Sequence, residues 1–335
     1  MAFNCGIIGL PNVGKSTIFN ALSGAGAAMA NYPFCTVEPN RGIVPVPDVR
    51  LPRIAELLKK KDPIPTRIEF VDVAGLVSGA SRGEGLGNKF LGHIRNVDAV
   101  IHVVRCFADP NVVHVAGGVD PPRDIEIINT ELMLADLELA QRAMEKLQKQ
   151  GISGDRDAAV KAGLLERCVR HLDGGEMLIS LETGAAENDL LREYGLITLK
   201  PVLYLANLDE DPSARAHAET VGKYAEARGS AFVSLVGKIE EEIARLDDAE
   251  KREYFEVMGI GETGLERLIG AAYRLLGLIT FYTAATDLQA WTIPEGATAL
   301  RAAGKIHTDF EKGFIRAEVC SFDELVEAGS EHHLR

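Results

Sequence analysis

The sequence lacks the cysteine pattern of a disulfide-stapled or zinc-binding protein. Its five cysteines are odd in number, lie far apart and never form a C-x-x-C pair. Cysteines with this spacing predict neither a disulfide framework nor a zinc site. They are typical instead of a protein that stays in a reducing compartment.

Long apolar runs, a leader segment and an excess of positive charge are absent as well. No stretch stays apolar for the roughly 20 residues that span a bilayer, and no leader precedes the apolar residues 3–9. The 36 Lys and Arg against 49 Asp and Glu give a net charge of −13. The lack of an apolar span and of a leader predicts a cytoplasmic protein with no membrane partner. Because an acidic chain repels nucleic acid at long range, we also expect no DNA partner.

What the chain does have is a repeated alternation of strands and helices. The 335 residues are enough for about two domains. Five short segments are apolar and rich in β-branched residues, which is typical of strands buried on both faces. These segments are residues 3–9, 67–73, 98–104, 201–206 and 230–236. The pattern predicts an α/β fold with a mostly parallel sheet.

A stretch from about residue 123 to residue 199 breaks the alternation. Apolar residues recur there at steps of three and four on both sides of a glycine-containing turn at 151–154. This periodicity predicts an inserted helical hairpin or short coiled coil. Asp155 follows the turn and is suited to cap the second helix.

The pattern changes again near residue 278. Residues 280–285 and 288–293 read as two short strands, and a short helix is predicted to begin at Thr298. The sequence therefore predicts a first domain over residues 1–277, which carries the hairpin, and a small α+β domain over residues 278–335.

The strongest motif lies at residues 9–16, which read G-L-P-N-V-G-K-S and match the phosphate-binding loop G-x-x-x-x-G-K-[ST]. Its glycines let the backbone N–H groups face phosphate oxygens, and the helix N-terminus that follows favours negative charge. Lys15 supplies a cation for the β and γ phosphates, and Ser16 offers a hydroxyl to Mg²⁺. The predicted phosphate-binding residues are Asn12, Val13, Gly14, Lys15, Ser16 and Thr17.

A second motif, Asp72-Val73-Ala74-Gly75, ends the strand predicted at 67–73. An Asp at this place can hold a magnesium-bound water, and a Gly N–H can meet the γ-phosphate. On its own the pattern D-x-x-G describes many strand-end turns. After a phosphate-binding loop it predicts that Asp72 and Gly75 take part in nucleotide binding.

The base-recognition motif departs from the one in guanine-specific proteins. Those proteins carry N-K-x-D after a strand, and the Asp accepts hydrogens from the guanine N1–H and 2-amino group. This chain has Asn207, Leu208 and Glu210 at the matching positions. The longer Glu moves the carboxylate and weakens the fit to guanine, which shifts the expected preference towards ATP.

A polar residue that could orient the attacking water is missing from its usual place. Ras-like enzymes have Gln after D-x-x-G, whereas this chain has Leu76, which carries no polar side-chain atom. Another residue, the backbone or a partner must then position the water. His114 is a candidate, although a lone histidine is more often an ordinary surface or core residue.

These motifs together resemble the Obg-like ATPase family, also called the YchF family, of translation-factor-class P-loop NTPases. The resemblance rests on residues 9–17, 31–40 (NYPFCTVEPN), 72–87 (DVAGLVSGASRGEGLG), 207–210 and 305–316 (KIHTDFEKGFIR). These stretches span nearly the whole chain, so the similarity is highly specific.

The resemblance implies a P-loop domain with a helical insertion and a C-terminal TGS domain of ubiquitin-like β-grasp shape. It implies slow hydrolysis with ATP preferred over GTP, and a base contact through the backbone of Leu208. It supports Ser16 and Thr36 as Mg²⁺ ligands, although other polar residues of the same loop could serve in place of Thr36. It also assigns the suspected catalytic position to His114.

For partners, the resemblance implies ribosomes or their subunits, with rRNA as a candidate contact. The family pattern continues beyond residue 335, so the TGS domain is expected to be incomplete at its C-terminus. Two functions remain open, an ATPase whose turnover matters and a nucleotide-gated binding module whose hydrolysis only resets its conformation. A GTP-binding switch is the further alternative.

Overall fold

In the computed structural model of the chain, residues 3–24, 28–29, 39–73, 86–152, 155–259 and 261–330 are described. The strands are β1 Asn4–Ile8, β2 Ala28–Met29, β3 Asn40–Pro45, β4 Arg67–Asp72, β5 Ala99–Arg105, β6 Val202–Asn207, β7 Ala231–Leu235, β8 Leu278–Thr283 and β9 Gln289–Pro294. The helices are α1 Lys15–Gly24, α2 Arg50–Leu57, α3 Leu86–Arg95, α4 Pro121–Ile152, α5 Arg156–Asp173, α6 Ala185–Arg192, α7 Pro212–Glu226, α8 Gly237–Arg245, α9 Asp248–Met258, α10 Gly264–Leu275, α11 Ala299–Ile306, α12 Thr308–Lys312 and α13 Phe322–Ala328.

The main sheet has the strand order β2-β3-β4-β1-β5-β6-β7. Strands β4, β1, β5, β6 and β7 run parallel to one another, which confirms all five predicted strands. Every residue of β5 and of β6 is buried, as expected for strands covered on both faces. Strands β2 and β3 were not predicted, and they extend the sheet antiparallel at the β4 edge.

The predicted helical hairpin is confirmed as α4 and α5. The carboxylate of Asp155 accepts hydrogen bonds from the backbone N–H groups of Asp157 and Ala158, so Asp155 is the N-cap of α5. Leu165 and Cys168 of α5 are fully buried in an apolar cluster that also contains Ala140 of α4. The hairpin therefore has a small core of its own beside the main sheet.

The C-terminal region begins with the antiparallel pair β8–β9, as predicted. Thr298 caps α11, which confirms the predicted helix start. Within the described residues the sheet of this region has two strands, and these are the part of the expected β-grasp fold that the structure presents. No described helix combines the length and the apolarity that a membrane span needs.

Helix α2 packs against the C-terminal region. Leu51 and Ile54 of α2 share an apolar cluster with Leu288, Ala290 and Leu325. The hydroxyl of Tyr282 also hydrogen-bonds the carboxylate of Asp48, and that of Thr66 contacts the hydroxyl of Thr292. The segment around α2 is thus joined to residues 278–330, and the division at residue 277 stays a prediction.

Candidate functional site

The P-loop connects β1 to α1 at the carboxyl edge of the sheet. Asn12 and Gly14 have φ values of 63° and 93°, in the left-handed region. Asn is among the few residues with a side chain that enter this region readily, and Gly enters it without steric cost. The loop can therefore curl tightly before α1 begins at Lys15.

Lys15 folds back over this loop. Its ammonium donates hydrogen bonds of 3.1 Å to the carbonyls of Gly9 and of Leu10, and 8% of the residue is exposed. Burial lowers the pKa of Lys15, and the nearby negative charge of Asp72 opposes that shift. The side chain is thus a cation held at the phosphate-binding loop.

Asp72 is the last residue of β4 and lies opposite Ile7 of β1. Burial raises the pKa of its carboxyl, while the charge of Lys15 and a hydrogen bond from the Asn40 side chain lower it. The two motifs found separately in the sequence, the P-loop and the D-x-x-G aspartate, are therefore close enough to interact electrostatically.

Asn207 joins the P-loop to the opposite side of the site. Its amide nitrogen donates to the carbonyl of Val13 at 3.0 Å, and its amide oxygen accepts from the N–H of Gly237 at 3.0 Å. A Cβ at Gly14 would lie 2.2 Å from this amide nitrogen, so the contact requires glycine there. Asn207 thus fixes the P-loop against the start of α8, a role that sequence reasoning did not assign to it.

Replacing Asn207 by alanine is expected to destabilise the protein by about 2–6 kcal/mol, because two buried backbone groups lose their partner and each costs about 1–3 kcal/mol. Urea denaturation measures the change. The matched control is Asn96→Ala, which removes one exposed hydrogen bond, from the Asn96 amide nitrogen to the Gly92 carbonyl. Equal losses in the two variants would contradict the bridging role.

A pocket of about 910 Å³ opens beside the P-loop. From the P-loop and the start of α1 it is lined by Asn12, Gly14, Lys15, Ser16 and Thr17. From elsewhere in the chain it is lined by Asn207, Leu208, Glu210, Phe107, Lys238 and Tyr254, among others. The structure therefore brings the P-loop and the 207–210 motif to the wall of one cavity.

The pocket-lining residues that sequence reasoning did not identify include Phe107, Lys238 and Tyr254. The ring of Phe107 lies under the guanidinium of Arg105, 4.4 Å from its central carbon, and the ammonium of Lys238 pairs with the Asp109 carboxylate at 3.3 Å. Phe107 and Lys238 follow closely after β5 and β7, where ligand-binding residues of parallel sheets gather, so strand position could have indicated them. Tyr254 lies in α9 and carries no comparable signal.

The 207–210 motif is shaped by its own backbone contacts. The N–H of Leu208 donates to the carbonyl of Leu235 at 2.9 Å, so a backbone contact from Leu208 to a base would come from its carbonyl. The carboxylate of Asp209 accepts from the N–H groups of Ala108 and Asp211, at 3.1 Å each. Glu210 is exposed at the pocket wall, where its carboxylate can meet a ligand.

His114 is not among the residues that line the pocket. Its imidazole Nε2 lies 2.8 Å from the carboxylate of Asp124, and 8% of its side chain is exposed. The loop that carries it does reach the P-loop, because the amide nitrogen of Asn12 donates to the Val113 carbonyl at 3.1 Å. The structure thus brings the His114 loop to the site but keeps the ring itself away from the cavity.

Ser16 and Asp72 offer the oxygen atoms that a magnesium ion requires. Ser16 is exposed at the pocket wall, and the Asp72 carboxylate lies near Lys15. No cluster of three or more His, Cys, Asp or Glu suited to a metal occurs among the described residues. Mg²⁺ is commonly held by one or two protein groups together with phosphate and water, so this sparse donor set fits it. Thr36, Gly75 and Leu76 lie outside the described residues.

Two family models match the sequence. Residues 4–143 match a model described as a 50S ribosome-binding GTPase. Residues 278–335 match the C-terminal YchF GTPase model, described as a protein of unknown function.

Full-length relatives are similar throughout. The ribosome-binding ATPase YchF of Escherichia coli O157:H7 is 51% identical, with 97% of this chain and 90% of the relative covered. The protein of the same name from Bacillus subtilis (strain 168) is 47% identical, with 98% and 91% covered. The solved structure of the Schizosaccharomyces pombe YchF GTPase has a TM-score of 0.83 and 33% identity, with 99% of this chain and 91% of that one covered.

Proposed function

The chain belongs to the YchF family, and we propose that it binds ATP, hydrolyses it slowly and acts as a nucleotide-dependent switch on the ribosome. The observation that carries the proposal is the P-loop itself. Its left-handed Asn12 and Gly14 precede a helix that begins at a buried Lys15 beside the charge of Asp72. Backbone N–H groups, a helix N-terminus and a fixed cation together favour a polyphosphate.

The preference for ATP is inferred from Glu210 and Leu208. A guanine base needs a carboxylate that accepts from its N1–H and 2-amino group, and the longer Glu210 displaces that carboxylate. Adenine has an acceptor at N1 and no 2-amino group, so it loses nothing by the change. The amino group of adenine could instead donate to a backbone carbonyl, which Leu208 offers at the pocket wall.

Magnesium is proposed to bind between the P-loop and the triphosphate. Ser16 and Thr36 would be its protein ligands, and Asp72 would hold a magnesium-bound water. When bound, the ion would neutralise charge that develops on the phosphates. Gly75 would meet the γ-phosphate through its backbone N–H.

The partner is inferred from the relatives, which are named ribosome-binding ATPases. We propose that ribosomes or ribosomal subunits bind this chain, with rRNA as one contact, and that it works in the cytoplasm. Slow intrinsic hydrolysis suits a switch, since Leu76 provides no polar group to orient water. The TGS assignment of residues 278–335 and the domain boundary at 277 belong to the same proposal.

A GTP-binding switch is the second candidate. It is favoured by names alone, since the matching family model and the fission yeast structure are both called GTPases. The third reading, a binding module whose hydrolysis only resets its conformation, differs from the first in its response to ribosomes.

The decisive experiment measures binding and hydrolysis of ATP and GTP side by side, with and without ribosomes. We expect ATP to bind about tenfold more tightly, as the loss of one good hydrogen-bonded pair to guanine would cause. We also expect ribosomes to raise the hydrolysis rate. Glu210→Asp is the informative variant, because the shorter carboxylate should narrow the preference.

Three results would count against these assignments. Tighter binding of GTP would overturn the assignment of Glu210. An unchanged preference in Glu210→Asp would remove that side chain from base selection. Fast turnover that is indifferent to ribosomes would favour a simple ATPase over a switch.

A further inference from the structure

The loop of residues 106–120, between β5 and α4, is held at several points. Both terminal nitrogens of the Arg105 guanidinium donate to the carbonyl of Val112, at 3.0 Å each. The amide nitrogen of Asn12 donates to the next carbonyl, that of Val113, and the Arg123 guanidinium donates to the carbonyl of Gly118. The loop therefore has a defined conformation around its single histidine, His114.

Both ring nitrogens of His114 are already used in this conformation. The backbone N–H of Ala116 lies 3.1 Å from Nδ1, and a backbone N–H can only donate. Nδ1 is therefore the unprotonated nitrogen, and the ring proton lies on Nε2. Nε2 donates that proton to the carboxylate of Asp124 at 2.8 Å. The ring has no free lone pair with which to accept a hydrogen bond from water.

Asp124 is built to hold this ring. It lies in the first turn of α4, where a negative charge is favoured by the helix dipole. One carboxylate oxygen accepts from His114, and the other accepts from the Arg123 guanidinium at 2.9 Å. The side chain is 4% exposed, so both oxygens are paired inside the protein. A buried hydrogen bond to a charged acceptor is among the stronger kinds.

The exposure of the neighbours shows which contacts hold the loop. Val113 and Val115 are 74% and 52% exposed, whereas the polar ring between them is buried. Exposed valines on both sides contribute little burial of their own, which is the reverse of the usual distribution. Around residues 113–115, the contacts of His114 and of the backbone carbonyls, rather than apolar packing, keep this arrangement in place.

We propose that Asp124 is a positioning residue that holds the His114 ring away from the nucleotide and so limits hydrolysis until the ring is released. This inference rests on the proposed function, in which His114 orients the attacking water. While Asp124 holds its ring, His114 neither lines the pocket nor has a nitrogen free for that water. Hydrolysis requires the contact between His114 and Asp124 to open.

The test compares single-turnover ATP hydrolysis by the full chain and its variants. Asp124→Ala is expected to raise the basal rate by about three- to tenfold, because it increases the released fraction of a two-state loop. ATP affinity should stay unchanged. Asp120→Ala is the matched control, since it removes an exposed carboxylate at the same end of α4 without touching His114.

Two further variants make the test specific. Asp124→Asn keeps an acceptor for Nε2–H but loses the negative charge, so it should raise the hydrolysis rate by less than Asp124→Ala. It serves as the test if Asp124→Ala does not fold. The double variant Asp124→Ala with His114→Ala should be no faster than His114→Ala alone. A rate that falls or stays constant in the folded Asp124 variants would overturn the proposal.

Nitrogen-15 NMR of the imidazoles reports directly on the contact between His114 and Asp124, whereas the rate gain in Asp124→Ala is the readout that a purely structural role would not produce. The His114 signals, identified by their loss in His114→Ala, should show protonation at Nε2 in the nucleotide-free protein and should change in Asp124→Ala. If the hydrolysis rate falls in His114→Ala as expected but does not rise in Asp124→Ala, the result counts against the proposed role of Asp124 and not against that of His114. An unchanged rate in His114→Ala would instead count against the proposed role of His114.

Discussion

Lys15→Ala is expected to abolish ATP binding at concentrations that saturate the native protein. Lys15 is the cation of the P-loop, and its ammonium lies within 3.1 Å of two loop carbonyls. Removing one partner of a buried, hydrogen-bonded charge pair costs about 2–5 kcal/mol. That cost corresponds to a Kd raised by about 30- to 5,000-fold. Titration with a fluorescent ATP analogue measures it.

The control for this prediction is Lys223→Ala. Lys223 is exposed on α7 and is not among the residues that line the pocket. That variant loses the same side chain and charge but should bind ATP normally. Near-normal affinity in a folded Lys15→Ala protein would contradict the assignment of residues 9–16 as the phosphate-binding loop.

The central strands could be predicted because they are buried on both faces. Such strands read as nearly continuous apolar runs, as β1, β5 and β6 do. Strands β4 and β7 mix buried with partly exposed residues, so only part of each run is apolar. Strand β3 was missed because Asn40–Pro45 reads N-R-G-I-V-P, which mixes polar residues, glycine and proline. Strand β3 lies next to the two-residue strand β2 at the edge of the sheet, where such residues are tolerated, so its pattern resembles that of a loop.

The partner of α2 could not be predicted for a different reason. Its Leu51 and Ile54 form an apolar stripe, but a stripe does not specify the surface that it covers. The structure pairs it with Leu288 and Ala290, which lie at the far end of the sequence. Periodicity describes one element at a time, whereas this contact depends on the tertiary arrangement.

The same distinction, between features of one segment and contacts made by the tertiary fold, applies to the candidate site. The P-loop is one contiguous motif, so its residues, conformation and helix start could all be anticipated. The bridging contacts of Asn207 could not, since they join β6 to Val13 and Gly237 through space. The pocket wall also draws Phe107 from the connection after β5 and Tyr254 from α9. Residue type and spacing indicated a phosphate-binding site, and the tertiary fold determined which other groups lie beside it.

His114→Ala is expected to lower the rate of ATP hydrolysis on the order of 100-fold, which is the range for losing one positioned proton-transfer or water-orienting group. ATP affinity should change by less than about twofold, because His114 is not a lining residue of the pocket. Single-turnover hydrolysis and equilibrium titration separate the two effects. The variant also loses a buried hydrogen bond to Asp124, so its folding must be measured too.

The matched control is His307→Ala. His307 also lies beside a carboxylate, with its Nδ1 3.5 Å from Asp309, but it is exposed in the C-terminal region. Its loss should leave both binding and hydrolysis unchanged. If a folded His114→Ala protein hydrolyses ATP at the native rate, the water is positioned by another group. Another residue, backbone atoms or a ribosomal partner would then be the remaining sources, since the side chain of Leu76 offers no polar atom. A His114→Ala protein that reaches the native rate only when ribosomes are present would identify the partner as that source.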